Sequence, residues 1–330
     1  MKRVNNKYLL IAVVVLALLA LIMVVFDKYK GERTFRAELF SVDSTAVTSI
    51  IVYPKDKTKT PINLIRNGKS WEVKQESRSY PADTAVISRI LKALVNVKTE
   101  RVAATGKDGY KGLEITDSLS SRVVVNQGKS IAADFRLGKI SFSRNNNSGN
   151  GQNQNVDVKS YIRVADDEKV YAVDGFLSMM FSDNTSMYRN RMVFRFNKTD
   201  ITKITFIYPG DSSYQLVKSG VHWMINDTEA DSAKTETWLS SVANCTGSDF
   251  ADGQMQPFSF PYTCRFEGNN MKTIEVKGAL NETGKLYFIK STFNPPAIFG
   301  GSNAHLFNQV FPGKAKFMKE QKVSKKKSLH

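Results

Sequence analysis

The sequence has few of the residues that most often carry enzyme chemistry. It contains three histidines and two cysteines among 330 residues, and one of the histidines is the last residue. No H-E-x-x-H, paired C-x-x-C, aspartate-rich calcium loop or G-x-S-x-G turn is present. Gly68-Lys69-Ser70 and Gly128-Lys129-Ser130 lack the upstream glycine of a phosphate-binding loop. We therefore predict a protein that is not an enzyme, with no catalytic residue, no cofactor and no metal.

One long stretch of the chain lacks charge altogether. Residues 8–26 contain neither a charged side chain nor a proline. As a helix they would span roughly 28 Å, close to the ~30 Å hydrocarbon core of a bilayer. Basic residues without acids precede the stretch, which places residues 1–7 in the cytoplasm. The pattern predicts a single-pass transmembrane helix and uncleaved signal anchor in the inner (cytoplasmic) membrane, with the bulk of the chain periplasmic or extracytoplasmic; a cleaved signal peptide is the alternative.

Positive charge is concentrated at the two ends of the chain. The formal net charge is +16, and residues 314–330 alone hold seven lysines and one acid. This composition predicts a disordered basic tail, which either binds anionic lipid or an acidic partner or is a solvated end. Nucleic acid is not an expected partner of an exported domain. The hydrophobic fraction of 42% is enough for a sizeable core between the ends.

The exported part contains the same pattern twice, about 150 residues apart. Three landmarks of the first copy recur in order in the second. They are Tyr53-Pro54, Trp71 and Ala82-Asp83, followed later by Tyr208-Pro209, Trp223 and Ala230-Asp231. This period is too long for a solenoid repeat and indicates duplication of a whole module.

Each copy is predicted to contain a hairpin, an amphipathic helix, a meander and a short helix. Asp83 and Asp231 are expected to cap the two long helices. The predicted fold is therefore α+β, an N-terminal transmembrane helix followed by two tandem repeats of an antiparallel-sheet module. The expected boundaries are a linker at 27–40, module 1 at 41–196 and module 2 at 197–313. An Asn-rich flexible loop is expected at 144–155.

Cys245 and Cys264 both belong to the second copy. Cys245 follows the predicted long helix, and Cys264 alternates with aromatic residues on one face of a predicted strand. Export would allow a disulfide between them. Two buried thiols are the alternative, because the sequence does not supply the Cα separation.

The segment that joins the two copies, YRNRMVFRF, gathers three arginines among aromatic residues. Arg189, Arg191 and Arg195 could form a basic surface that contacts an anionic ligand or partner. The alternative is a joining strand whose arginines pair with acids elsewhere in the chain.

These landmarks together resemble domain-of-unknown-function family 4340. The resemblance covers roughly residues 45–250. It rests on GKSWEV, YPADTAVISRILKAL, YKGLEI, FRLGKI, SYIRVADDEKVYAVD, YRNRMVFRFNKTDITKI and HWMIN with EADSAKTETWL. Where members typically carry W-R-D-R, this chain has Tyr188-Arg189-Asn190-Arg191.

Members of that family are often encoded beside gliding-type ABC transport systems. The resemblance thus implies a non-catalytic scaffold or accessory subunit of the envelope, with an ABC transporter permease or another envelope protein as partner. The alternative is an exported module that binds a glycan or a peptide. Neither the pattern nor the resemblance predicts an oligomeric state.

Overall fold

The computed structural model describes residues 37–144, 156–254, 259–281 and 283–320. Within these ranges the chain forms two compact units. The first contains the residues up to Arg78 and Ala85–Thr185, and the second contains Ser79–Thr84 and the residues from Ser186 onward. The units therefore meet in the sequence at 185/186 rather than at the predicted 196/197, and a short segment of the first copy belongs to the second unit.

The prediction of a transmembrane helix is corrected. No helix in the part of the chain that the structure describes is long and apolar enough to cross a membrane. The longest of these helices has 12 residues, whereas a span needs about 20. The stretch 8–26 lies outside the described residues, as do 145–155 of the Asn-rich loop and 321–330 of the basic tail. The described fold is predominantly antiparallel sheet, and the signal anchor, bilayer contact and inner-membrane localisation have no support from it.

The first copy begins with strands and one long helix. These are β1 (Val47–Tyr53), β2 (Ile62–Asn67), β3 (Ser70–Gln75), β4 (Arg78–Pro81) and α1 (Thr84–Val95). It continues with β5 (Thr99–Ala104), β6 (Ser121–Gln127), β7 (Ser130–Arg144), β8 (Val156–Val164), β9 (Val170–Asp174) and α2 (Leu177–Met180). In the first unit the adjacent strands follow the order β3-β2-β1-β6-β7-β8-β9-β5, and each neighbouring pair in this order is antiparallel.

The second copy repeats this plan. Its elements are β10 (Met192–Arg195), β11 (Ile201–Ile207), β12 (Tyr214–Ser219), β13 (His222–Ile225), β14 (Thr228–Glu229) and α3 (Ser232–Val242). They are followed by β15 (Asn244–Thr246), β16 (Tyr262–Gly268), β17 (Ile274–Leu280), β18 (Tyr287–Ser291), β19 (Ile298–Gly301) and α4 (His305–Val310). The sheet order is β14-β13-β12-β11-β16-β17-β18-β19, while β10 and β15 form a separate pair.

The duplication inferred from the sequence is thus present in the folded chain. β1 lies between β2 and β6, and β11 lies between β12 and β16. The register of both central strands shifts near their start, between Val47 and Ser49 and between Ile201 and Lys203. An irregularity at the same place in both copies indicates a common module and not a chance similarity of strand order.

The long helices bury the predicted apolar faces. Four residues of α1 are buried, namely Ile87, Ile90, Leu91 and Leu94. Their spacing is that of one face of a helix. At the start of α3, the Lys234 N–H donates to Asp231 Oδ1 at 3.0 Å, so the predicted cap is observed there. The equivalent role of Asp83 stays a prediction.

Both predicted ends of the modules need correction, because residues assigned to the linker and the tail belong to the cores. Leu39 is buried and Phe40 stacks on Phe135 with ring centroids 5.0 Å apart. At the other end, Phe317 is fully buried, and its ring centroid lies 5.4 Å from that of Trp238. Its carbonyl accepts from the Asp231 N–H at 2.8 Å. The second unit therefore extends past residue 313.

Candidate functional site

Arg189, the first of the predicted contact residues, is buried inside the second unit, where both of its terminal nitrogens are hydrogen-bonded. Its Nη1 and Nη2 donate to the two carboxylate oxygens of Asp252 at 3.2 and 2.9 Å. The guanidinium lies between the rings of Tyr80 and Phe250, with its Cζ 3.5 and 3.6 Å from their centroids. Because this geometry uses both faces and both terminal nitrogens of the side chain, Arg189 supports the second unit and is not a surface contact.

Asp252 is ionised by the same contacts. Burial alone would raise the pKa of this carboxyl, but hydrogen bonds from Arg189 and Tyr80 lower the pKa below its ordinary value of 3.8. The Tyr80 hydroxyl donates to Asp252 Oδ2 at 2.9 Å. The pair is thus a buried, hydrogen-bonded ion pair within one unit.

The structure does not bring the three predicted arginines together into one surface. Arg191 is half-buried and its carbonyl accepts from the Gly247 N–H at 2.9 Å. Arg195 is exposed on β10, opposite Asn244 of β15. Their environments differ because Arg189 pairs with Ala82 through an isolated bridge, whereas β10 begins only at Met192.

Cys245 and Cys264 lie in the same hydrophobic core and are free thiols. Burial raises the pKa of Cys245 to about 12, and burial together with nearby Cys245 raises the pKa of Cys264 well above its usual value. Neither thiol is therefore activated as a thiolate nucleophile. A disulfide between them stays a prediction, and the structure holds the reduced alternative.

Positive charge in the first unit includes a lateral row of three arginines, which we call the arginine row. Arg122 of β6 is directly opposite Arg136 of β7, and Arg136 is directly opposite Arg163 of β8. Opposed residues of an antiparallel pair project from the same face of the sheet. Val123 and Phe135, the chain neighbours of the first two arginines, are fully buried on the other face.

Two carboxylates compensate the arginine row unequally. Asp134 accepts from both Nε and Nη2 of Arg122, with an Nε–Oδ1 distance of 2.8 Å. Asp117 is shared, since its Oδ1 lies 3.0 Å from Arg136 Nη2 and 3.4 Å from Arg163 Nη2. Burial lowers the pKa of Arg136, Asp117 opposes that change, and the other two arginines lower it further. The row therefore has more positive charge than its two carboxylates balance.

A cavity of about 260 Å³ opens beside the first two members of the row. Four cationic side chains and a single carboxylate are among the residues that line it. The lining consists of Tyr53, Pro54, Lys57, Lys59, Pro61, Asp117, Ser120, Arg122 and Arg136. We call this space the basic cavity. Its lining favours an anion and not a cation.

The second unit has a counterpart of the arginine row with different side chains. β11, β16, β17 and β18 pair in the register of β1, β6, β7 and β8, so Ile207↔Thr263 corresponds to Tyr53↔Arg122. Thr263 is opposite Lys277, which is opposite Lys290. The structural counterparts of Arg122, Arg136 and Arg163 are therefore Thr263, Lys277 and Lys290. The guanidinium row is a feature of the first copy alone.

A protein-family model matches the part of the chain that contains these elements. The model of the family described as Domain of unknown function (DUF4340) matches residues 71–260, more than half of the 330 residues. The chain belongs to this family. The DUF4340 match includes the whole arginine row, the joining segment with Arg189, and Asp252. The resemblance inferred from the sequence is thereby confirmed.

DUF4340 membership gives no chemistry to the chain, because the family has no assigned function. No curated protein and no solved structure matches the chain. An association with membranes or with ABC transport systems is not shown by the match. In the ranges that the structure covers, no group of three or more histidine, cysteine, aspartate or glutamate side chains is placed to hold a metal ion.

Sequence reasoning missed the arginine row because its members are distant in the chain. Arg122, Arg136 and Arg163 fall on three different strands, and each alone is an ordinary polar residue of an alternating strand. Only the register places them side by side. A usable signal was present, since SRVVV and DFRLG both put an arginine beside apolar residues in consecutive predicted strands of the meander.

Proposed function

We propose that this DUF4340 protein is a non-catalytic accessory subunit that acts as a binding scaffold for another protein. The observation that carries the proposal is the duplication of a sheet module, with the same strand order in both copies except at β5 and β15. An enzyme concentrates its reacting groups in one asymmetric cleft. A repeated sheet instead provides two similar frames on which surface residues can diverge.

Differences between the surface residues of the two sheets support the scaffold proposal. The cores of both copies are apolar, yet Arg122, Arg136 and Arg163 of the first sheet correspond to a threonine and two lysines in the second. Recognition sites are added to folds through surface residues of this kind, while the core keeps the fold. The two copies therefore have one architecture and different binding properties.

The partner class comes from the family resemblance. A transport-system permease, or another protein of the bacterial envelope, is the first candidate for the protein that this subunit serves. A glycan- or peptide-binding module is the competing reading. It loses Arg189 as a candidate contact, because Arg189 is committed to Asp252 inside the second unit.

Co-purification of the full-length chain from its own host tests the proposal. The chain, tagged at its C-terminus, is cross-linked in cells, extracted in mild detergent and analysed by mass spectrometry and size exclusion. We expect a stoichiometric complex with an identified protein that forms again from the two purified components. A chain that elutes alone and is retained by immobilised polysaccharide would contradict the scaffold and support the competing reading.

A further inference from the structure

The arginine row places three like charges side by side in adjacent strands, which is unfavourable for the stability of the sheet. Directly opposed residues of an antiparallel pair have Cα atoms roughly 4.5–5.5 Å apart, and like charges in that position destabilise a sheet. The second copy has one such pair fewer, because Thr263 is opposite Lys277 where Arg122 is opposite Arg136, while Lys277 and Lys290 are still opposed. A fold that is stable with threonine and lysines does not require the arginine row for its structure.

Asp117 is poorly placed to be the permanent partner of two arginines. Its side chain is 64% exposed, whereas those of Arg136 and Arg163 are 22% and 15% exposed. The Nε of Arg163 is buried and has no hydrogen-bond partner within the described residues. A solvated carboxylate that faces two largely buried guanidinium groups can be displaced outward at small cost, because water already hydrates it.

The basic cavity adds donors on its other side. Lys59 is 3.1 Å from Asp183, while Lys57 has no carboxylate within 4.0 Å among the residues described. Arg122 uses Nε and Nη2 for Asp134, which leaves its Nη1 available. Arg136 presents its guanidinium to the cavity beside the hydroxyl of Ser120, which is 3.4 Å from Arg136 Nη1.

We propose that the basic cavity binds the phosphate group of a small ligand. The fork of Arg136 would hold two phosphate oxygens, Lys57 and Arg122 would neutralise the remaining charge, and Asp117 would swing out into solvent. A planar guanidinium matches a phosphate in a bidentate manner, which a lysine cannot do. The arginines of the first copy can therefore bind a phosphate in a bidentate manner, and the corresponding lysines of the second copy cannot.

The size of the basic cavity indicates a phosphate ester and not free phosphate. Its volume of about 260 Å³ leaves room for more than a phosphate group alone. Tyr53, Pro54 and Pro61 provide a less polar wall for the organic part of such a ligand. This inference stands apart from the proposed scaffold role, since a phosphate site can exist whether or not a protein partner is bound.

Calorimetric titration of the full-length protein tests the site, with inorganic phosphate and glycerol 3-phosphate as separate probes at low salt. Both should bind saturably, and glycerol 3-phosphate should bind more tightly. Arg136→Gln should weaken binding at least about tenfold, as expected when a charge-assisted contact is lost. Lys57→Gln should weaken it by about threefold, and Asp117→Asn should strengthen it by about threefold, because the competing carboxylate is gone.

Lys277→Gln is the matched control, because Lys277 is the counterpart of Arg136 in the second copy. It should leave both affinities unchanged. Equal affinity for the two probes would support the phosphate site and overturn the inference that its ligand is an ester. The proposal is overturned if neither probe binds, or if Lys277→Gln weakens binding as much as Arg136→Gln. If Arg136→Gln fails to fold, the opposite shifts at Lys57 and Asp117, both exposed side chains, decide the question.

Discussion

Replacing Arg189 by methionine should strongly destabilise the second unit. The side chains of Arg189 and Asp252 are only 6% and 14% exposed, and two hydrogen bonds join them. Methionine keeps much of the apolar contact with the rings of Tyr80 and Phe250 but removes the charge. Among the described residues, the Tyr80 hydroxyl would then be the remaining side-chain donor to the buried carboxylate of Asp252.

The expected loss follows from the burial of the pair. Removing one partner of a buried ion pair costs about 3–5 kcal/mol, mostly because the other charge is left without compensation. The cation–π contacts with two rings add to the loss, by up to about 2 kcal/mol when desolvated. With a urea m-value near 2 kcal/mol/M, a loss of about 4 kcal/mol lowers the unfolding midpoint by about 2 M.

Urea unfolding monitored by tryptophan fluorescence measures this change, since Trp223 and Trp238 lie in the second unit's core. Arg195→Met is the matched control from the same segment, because Arg195 is exposed, and it should change the free energy by less than about 0.5 kcal/mol. A loss below about 1 kcal/mol for Arg189→Met, or equal losses for both variants, would refute the structural role of Arg189.

The same pair predicts how the loss depends on pH. The folded-state pKa of Asp252 is lowered, so its contribution to stability is fully present above the ordinary value of 3.8. It is lost as the pH falls through the lowered value in the folded protein. The difference in unfolding free energy between wild type and Arg189→Met should therefore be largest near pH 7 and shrink below about pH 4. A gap that is constant from pH 7 to pH 3 would contradict this.

Three further predictions concern the second unit. Phe317→Ala should cost about 3–5 kcal/mol in urea unfolding because the ring is fully buried. Met318→Ala, at a position that is 38% exposed, should cost less than about 1 kcal/mol, and equal losses would place residue 317 in a loose tail. Cys245 and Cys264 should react with a thiol reagent only after unfolding, and two thiols per chain should then react. If no thiol of the unfolded chain reacts until a reductant is added, the two residues form the disulfide. Asp231→Ala should lower stability by about 0.5–2 kcal/mol in the same assay through loss of the cap, and no change would show that the Lys234 N–H finds another acceptor.

Local patterns in the sequence predicted local structure well. The apolar spacing in ISRILKAL predicts the face of α1 that is buried, and Asp231 lies where α3 needs a hydrogen-bond acceptor. Both depend only on residues within one or two turns of a helix. The repeated landmarks likewise predict the module, although Tyr53-Pro54 and Tyr208-Pro209 are shifted by one residue relative to the strand register, since Tyr53 corresponds to Ile207.

Features that depend on distant residues were not predictable in the same way. Arg189, Arg191 and Arg195 look alike in the sequence, yet their burial is decided by Ala82, Asp252 and the start of β10. Phe317, which was predicted to lie in the tail, packs against Trp238 and against Phe206, and Phe206 is more than a hundred positions away in the sequence. Such contacts are determined by the register of the sheet and the path of the chain, and neither can be read from the repeat period or the composition of the sequence.

The position of Ser79–Thr84 also restricts how a protein of this kind can evolve. The segment belongs to the first copy by sequence and to the second unit by structure, where Tyr80 contacts Arg189 and Asp252. Recombination that exchanged one copy between two relatives would separate Tyr80 from the residues with which it was selected. The buried ion pair of the second unit thus depends on a residue from the first copy, so the two copies are not interchangeable as separate pieces.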